Sequence, residues 1–179
     1  QLKMDKCKLP EFTLIDSGKP IESTGEMVAI VNKKLNTKNE KHLSTLSSRQ
    51  EGKLKYKKII EDIGKVTNKI IKAFKFKKFR PEVDRPLDDK SLKSLIRENE
   101  RLLENLGVVG NKAKKIIRRI EKIGGSAKAC GAGGIKKGSG MILAYHLNPL
   151  VFENFLAKRK LNFMKVNLDQ NGLKQDLNT

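Results

Sequence analysis

The chain has 179 residues, a length typical of one domain. Two cysteines give no disulfide framework, and no apolar run reaches the ~18 residues of a membrane span. We therefore expect a cytoplasmic protein without a membrane span. The net charge of +19 suggests nucleic acid as a possible partner. However, only eight of the 39 basic residues are arginine, the residue that proteins favour for binding nucleic acid. The composition therefore favours solvated lysine faces over a nucleic-acid interface.

The first predicted elements are a strand and a capped helix. Phe12–Asp16 alternates weakly between apolar and polar residues, and Gly18 and Pro20 end it. Ser23, followed three residues later by Glu26, fits a capping box that opens a helix. Residues 36–52 are polar and read as a loop or a frayed helix.

A long amphipathic helix is expected from Leu54 onwards. Its apolar residues recur at helical spacing and are Ile59, Ile60, Ile63, Val66, Ile70, Ile71 and Phe74. Residues 72–80 interleave phenylalanines with basic residues, a pattern that also stacks on single-stranded nucleic acid. We favour the end of an amphipathic helix for this run.

Two further helices follow. One begins near Asp88 or Asp89 and ends at Gly107, with Asn99 on or beside its apolar face. Such an asparagine is a satisfied core amide or a residue that faces a site. The next helix spans 111–123 and is expected to bury Ala113, Ile116, Ile117 and Ile120.

Residues 124–146 hold seven of the fourteen glycines and include two short apolar runs, 126–130 and 141–145. Both runs read as strands. Backbone amides of the glycine-rich loop between them predict an anion-binding nest, and the alternative is a turn that needs positive φ angles. Neither a P-loop nor a dinucleotide fingerprint is present, because a strand rather than a helix follows. We expect a side chain at Gly133 to block a ligand and leave the fold largely intact.

A helix over 149–160 and a strand over 162–167 complete the pattern. Helices that alternate with short strands predict an α+β fold, a small and mostly antiparallel sheet packed on several helices. We divide the chain into a lead-in at 1–11, a domain at 12–168 and a polar tail at 169–179. No metal-ligand spacing occurs, and no catalytic residue is assigned within this chain.

Three segments in order resemble the C-terminal half of GHMP kinases, most closely their mevalonate kinase branch. Residues 13–28 read TLIDSGKPIESTGEMV, 92–108 read LKSLIRENERLLENLGV, and 128–143 read KACGAGGIKKGSGMIL. The resemblance implies a GHMP C-terminal domain with a ferredoxin-like core. Cys130 departs from the family, where serine or threonine usually precedes Gly-Ala-Gly-Gly.

The resemblance also implies the site residues. A loop beside the nucleotide phosphates and the substrate maps onto Lys128, Gly131, Ala132, Gly133 and Gly134. The resemblance places Ser23, Thr24 and Asn99 on the substrate side. Lys136 and Lys137 depart from the family, where glycines often continue the loop, and are candidate substrate-side residues because of their charge.

Family members also have an N-terminal domain with a G-L-G-S-S loop around ATP, and this chain lacks such a loop. The resemblance therefore implies one half of an ATP-dependent kinase, inactive alone, whose missing N-terminal domain holds most of the ATP and Mg²⁺ contacts. Mevalonate is the expected substrate. Phosphomevalonate is the alternative, because Lys136 and Lys137 suit a phosphate, and a basic nucleic-acid-binding module is the rival of another class.

Overall fold

The computed structural model describes residues 10–36, 46–75 and 89–166. The described chain contains five helices and four strands in the order β1 (Phe12–Asp16), α1 (Thr24–Leu35), α2 (Leu46–Lys75), α3 (Asp89–Leu106), α4 (Asn111–Lys122), β2 (Ser126–Ala129), β3 (Met141–Tyr145), α5 (Pro149–Lys158) and β4 (Phe163–Val166). No helix within these ranges is long and apolar enough to cross a membrane.

The four strands form one sheet in the order β2-β3-β1-β4, and every neighbouring pair is antiparallel. This is the strand order of a ferredoxin-like βαββαβ core, with a long helical insertion between β1 and β2. The expected α+β fold with a small antiparallel sheet is therefore confirmed.

The main core lies on one face of the sheet. Ile15, Ile142 and Ala144 alternate inward along β1 and β3, because successive strand residues point to opposite faces. Against them pack the apolar stripe of α4 and two residues of α5; the buried helix residues are Ala113, Ile116, Ile117, Ile120, Phe152 and Leu156. The four α4 positions predicted to be buried are confirmed.

Helix α3 covers the exposed edge of β2. Lys93 and Arg97 donate to the carbonyls of Gly124 and Gly125, with nitrogen–oxygen distances of 3.3 and 2.5 Å. Glu100 accepts a hydrogen bond from the amide of Ala129 at 2.8 Å. Side chains of α3 thus satisfy polar backbone groups that an edge strand would otherwise leave unpaired.

Two predictions for α2 need correction. The helix begins at Leu46, within the stretch expected to be a loop or a frayed helix. Gly52 is the one strong helix-breaking residue there, and a single glycine costs only about 1 kcal/mol in a helix. Ile60 was expected on the buried side, but its side chain is 39% exposed, whereas Ile59 and Val66 are buried.

Some predictions lie outside the described residues. These are the lead-in up to residue 9, the polar tail and the part of the basic–aromatic run beyond Lys75.

Candidate functional site

The loop of residues 130–140, called the glycine loop below, connects β2 to β3 and is anchored first to the end of β1. The hydroxyl of Ser17 accepts from the amide of Ser139 at 3.0 Å and donates to the carbonyl of Gly140 at 2.7 Å. The amide of Gly140 also donates to the carbonyl of Gly18 at 3.1 Å. Ser17 is completely buried, so these bonds are shielded from water.

The second anchor is the link between α3 and α4. The amide of Gly134 donates to the carbonyl of Val108 at 3.0 Å. The Ser139 hydroxyl accepts from the amide of Gly110 and donates to the carbonyl of Gly134, both at 2.8 Å. Ser139 therefore connects the link to both sides of the loop.

The third anchor is the carboxylate of Glu22, just before α1. It accepts from the amides of Ile135 at 3.3 Å and Lys136 at 3.1 Å. Its own backbone amide, together with these two, lowers the pKa of the Glu22 carboxyl group. An internal carboxylate thus holds two loop amides that a phosphate nest would present to a ligand.

The start of the loop is the part open to a ligand. Gly131 is exposed with a φ of +78°, and a Cβ placed there meets no atom within 4 Å. In the described chain, the amides of Gly131 and Ala132 make no hydrogen bond. These two amides are therefore among the donors that the loop can offer to an anion.

Gly133 is a packing position. It is buried with a φ of +80°, and a Cβ there would collide with the carbonyl oxygen of Val108. The expectation that a side chain at Gly133 leaves the fold intact is therefore wrong, because it would press on the backbone that receives the Gly134 amide.

The capping box predicted at α1 is confirmed. The Ser23 hydroxyl accepts from the amide of Glu26 at 3.2 Å, and the Ser23 amide donates to the Glu26 carboxylate at 2.7 Å. Hydrogen bonds from the backbone and hydroxyl of Ser23 lower the pKa of Glu26. Thr24 is the exposed first residue of the helix.

An open groove of about 380 Å³ separates α1 from the loop. Ala29, Ile30 and Ile135 give it apolar walls, and Glu22, Glu26 and Lys136 add charged groups. The ammonium group of Lys136 lowers the pKa of both carboxyl groups by Coulombic attraction. With two carboxylates for one ammonium, the charged side chains that line this groove carry a net negative charge.

The other predicted residues are not joined to the loop by a side-chain bond. Lys128 lies in β2 opposite Leu143 and is half-buried, and Lys137 is exposed; neither side chain has a hydrogen-bond or ion-pair partner in the described part of the chain. Asn99 is only 4% exposed, and its Oδ1 atom has no hydrogen-bond partner among the described residues.

Sequence reasoning missed Glu100. Glu100 is wholly buried and holds the amide of Ala129, just before the glycine loop. The available signal was a charged row at helical spacing, Lys93, Arg97, Glu100 and Glu104, beside the apolar stripe of α3.

No group of three or more histidine, cysteine or acidic side chains able to hold a metal ion occurs within residues 10–36, 46–75 and 89–166. We assign no metal ligand within these ranges.

No protein-family model matches the sequence, and no curated protein matches it either. Solved structures do match. A mevalonate kinase from Methanococcus jannaschii is 18% identical with a TM-score of 0.57, and the match covers 87% of this chain and 38% of that one. The Lin0012 protein from Listeria innocua is 21% identical with a TM-score of 0.63, covering 89% and 39%.

The L. major mevalonate kinase, solved in complex with R-mevalonate, is 15% identical with a TM-score of 0.63. The match covers 88% of this chain and 42% of that kinase. This chain therefore spans about two fifths of the length of these structures. Together with the observed strand order, these matches show a GHMP-kinase-like fold, that of the C-terminal α+β domain.

Proposed function

We propose that this chain is the C-terminal domain of an ATP-dependent GHMP kinase that phosphorylates the primary hydroxyl of mevalonate. One observation carries the proposal: the three segments that resemble the family converge on the glycine loop. The end of β1 binds it through Ser17, the α3–α4 link through Val108, and the start of α1 through Glu22. Ser17 and Glu22 belong to the first of these segments and Val108 to the second. The two segments are far apart in sequence from each other and from the glycine loop, so their meeting is a property of the fold.

In the proposed enzyme, the loop contributes backbone donors. The amides of Gly131 and Ala132 would hold phosphate or substrate oxygens, since both are free and Gly131 leaves room for close approach. ATP supplies the transferred phosphoryl group, and this chain contributes positioning to that transfer. Mg²⁺ ligands and the catalytic base would lie in the missing N-terminal domain.

The charge of the groove bears on the choice between substrates. Lys136 already faces two carboxylates, so of the two adjacent loop lysines Lys137 is the one without a carboxylate partner among the described residues. This balance favours mevalonate over phosphomevalonate.

The test is ADP formation from ATP with mevalonate or phosphomevalonate, measured on the chain extended by its upstream coding sequence. We expect that sequence to encode a G-L-G-S-S loop, and we expect residues 1–179 alone to be inactive. Turnover by residues 1–179 alone would contradict this division of labour.

The decisive variant is Gly131→Ala, with Gly124→Ala as its control. Gly124 has a φ of +87° and open space for a Cβ, so both variants carry the same backbone strain. Only Gly131→Ala should lower kcat/KM, toward the roughly 10²–10³-fold associated with losing a preorganised donor. Equal activity in the two variants would show that the loop is a plain turn.

A further inference from the structure

Glu100 is a buried carboxyl group with one oxygen unsatisfied. The side chain is 0% exposed, and its Oε2 atom accepts the Ala129 amide at 2.8 Å. Its Oε1 atom has no hydrogen-bond donor within the described chain. The side chain one helical turn further along α3 is Glu104, whose carboxylate lies within hydrogen-bonding reach of Glu100. Two ionised carboxylates cannot donate to each other, so a hydrogen bond between Glu100 and Glu104 requires that one of them keeps its proton.

The surrounding cations are already paired with other carboxylates. Arg118 of α4 binds both oxygens of Glu104 at 2.8 and 2.6 Å. Arg101 of α3 binds Glu121 of α4 at 2.7 Å. Two arginines therefore face two other glutamates, and Glu100 forms no ion pair of its own within the described chain.

Among the residues that the structure describes, the neighbouring elements offer no further cation to Glu100. On the α2 side, Lys69 pairs with Glu98 at 3.6 Å, and both are on the surface. Lys128 and Ala129 are consecutive residues of β2, so their side chains point to opposite faces of the sheet. Arg97 of α3 is engaged with the Gly125 carbonyl.

Electrostatics agrees with this geometry. Burial raises the pKa of Glu100 most, and the hydrogen bond from the Ala129 amide opposes that change. Repulsion and hydrogen bonding with Glu104 raise the pKa further, Arg118 lowers it, and the pKa reaches about 7.

We propose that Glu100 is a neutral carboxylic acid that donates its proton to Glu104, accepts the Ala129 amide, and so positions the start of the glycine loop. Ionisation breaks the O–H bond, releases the proton to solvent and leaves two adjacent carboxylates beside the Ala129–Cys130 backbone. The loop is then less firmly held. The loop's relevance to catalysis rests on the proposed function, but the protonation state of Glu100 does not.

The first test is unfolding of the chain at a series of pH values. An acid with a pKa near 4.5 when unfolded and about 7 when folded stabilises the protein at low pH. That stability is lost as the pH rises from about 4.5 to beyond 7. The ratio 10^(7−4.5) gives a roughly 300-fold increase in the unfolding constant from this group alone.

The matched variants are Glu100→Gln and Glu98→Gln. Glutamine keeps an acceptor for Ala129 and a donor for Glu104 at every pH, so Glu100→Gln should be more stable than the wild type at pH 8 and similar near pH 5. Glu98→Gln removes an exposed charge from the same helix and should retain the wild-type pH dependence. A Glu100→Gln variant less stable than the wild type at both pH values would overturn the proposal.

The second test does not depend on a variant folding. Carboxyl carbon NMR of ¹³C-labelled glutamate in the wild type should show one group titrating near neutral pH, with loss of hydrogen-exchange protection at the Ala129 amide over the same range. Titration of every glutamate below about pH 5 would refute a neutral Glu100. Neither readout uses ATP or a substrate, so either outcome is independent of the kinase proposal.

Discussion

Replacing Gly133 by alanine should weaken the domain through two separate effects. A residue other than glycine at a φ of +80° costs roughly 1–2 kcal/mol. The new Cβ also meets the carbonyl oxygen of Val108, which accepts the Gly134 amide at 3.0 Å. Displacing that carbonyl costs about 1–3 kcal/mol more, because a buried backbone pair is disturbed. We therefore expect a total loss of about 3 kcal/mol.

Gly124→Ala separates the two effects. Its φ of +87° imposes the same strain, but no atom lies within 4 Å of its Cβ position. It should lose only about 1–2 kcal/mol. Urea unfolding followed by far-UV circular dichroism measures both variants, and similar m-values would show that the same surface is exposed. If the two variants lose the same free energy, the close packing of Gly133 on Val108 is not a source of stability.

Two contacts near the start of α1 can also be tested, one by unfolding and one by hydrogen exchange. Ser23→Ala should cost about 1 kcal/mol by loss of the α1 cap, whereas Thr24→Ala should change urea stability little; equal losses would contradict the capping geometry. Glu22→Ala should speed hydrogen exchange at the amides of Ile135 and Lys136 several-fold, and exchange at Ala144 in the sheet should not change. Because the pKa of Glu22 is lowered, protection of these amides in the wild type should persist above about pH 4.5 and be lost as the pH falls through the lowered folded-state pKa. Protection that is insensitive to both acid and Glu22→Ala would show that this carboxylate does not hold the loop.

Local rules explain why much of the fold was predictable. The capping box at Ser23 involves residues three apart, and the buried face of α4 follows from a 3.6-residue period. Helix α5 begins at Pro149 after an Asn148 cap, which is also a local signal. The strands next to the glycine loop are short, and the turn residues around them marked their ends to within one residue.

Long-range contacts explain what was not predictable. Glu22 and Lys136 are 114 positions apart, and nothing in either segment indicates that one holds the other. Glu100 looks like any helical glutamate until α3 is placed along the edge of β2. Ile60 fits the apolar period of α2, but exposure depends on which neighbours cover that face of the helix.

The same distinction changes how the glycine-rich loop should be understood. A Cβ added at Gly133 would meet the backbone of Val108, one at Gly134 the backbone of Gly138, and one at Gly138 the backbone of Gly18. Backbone atoms therefore fill the space that a side chain at each position would need. These glycines therefore allow the loop to lie close to the α3–α4 link and to the end of β1. Gly131 differs because its Cβ position is open and its amide is unbonded. Glycine content thus marks the place where the segments converge, and the turn at Gly131 and Ala132 is the part of the loop at which we propose that a ligand binds.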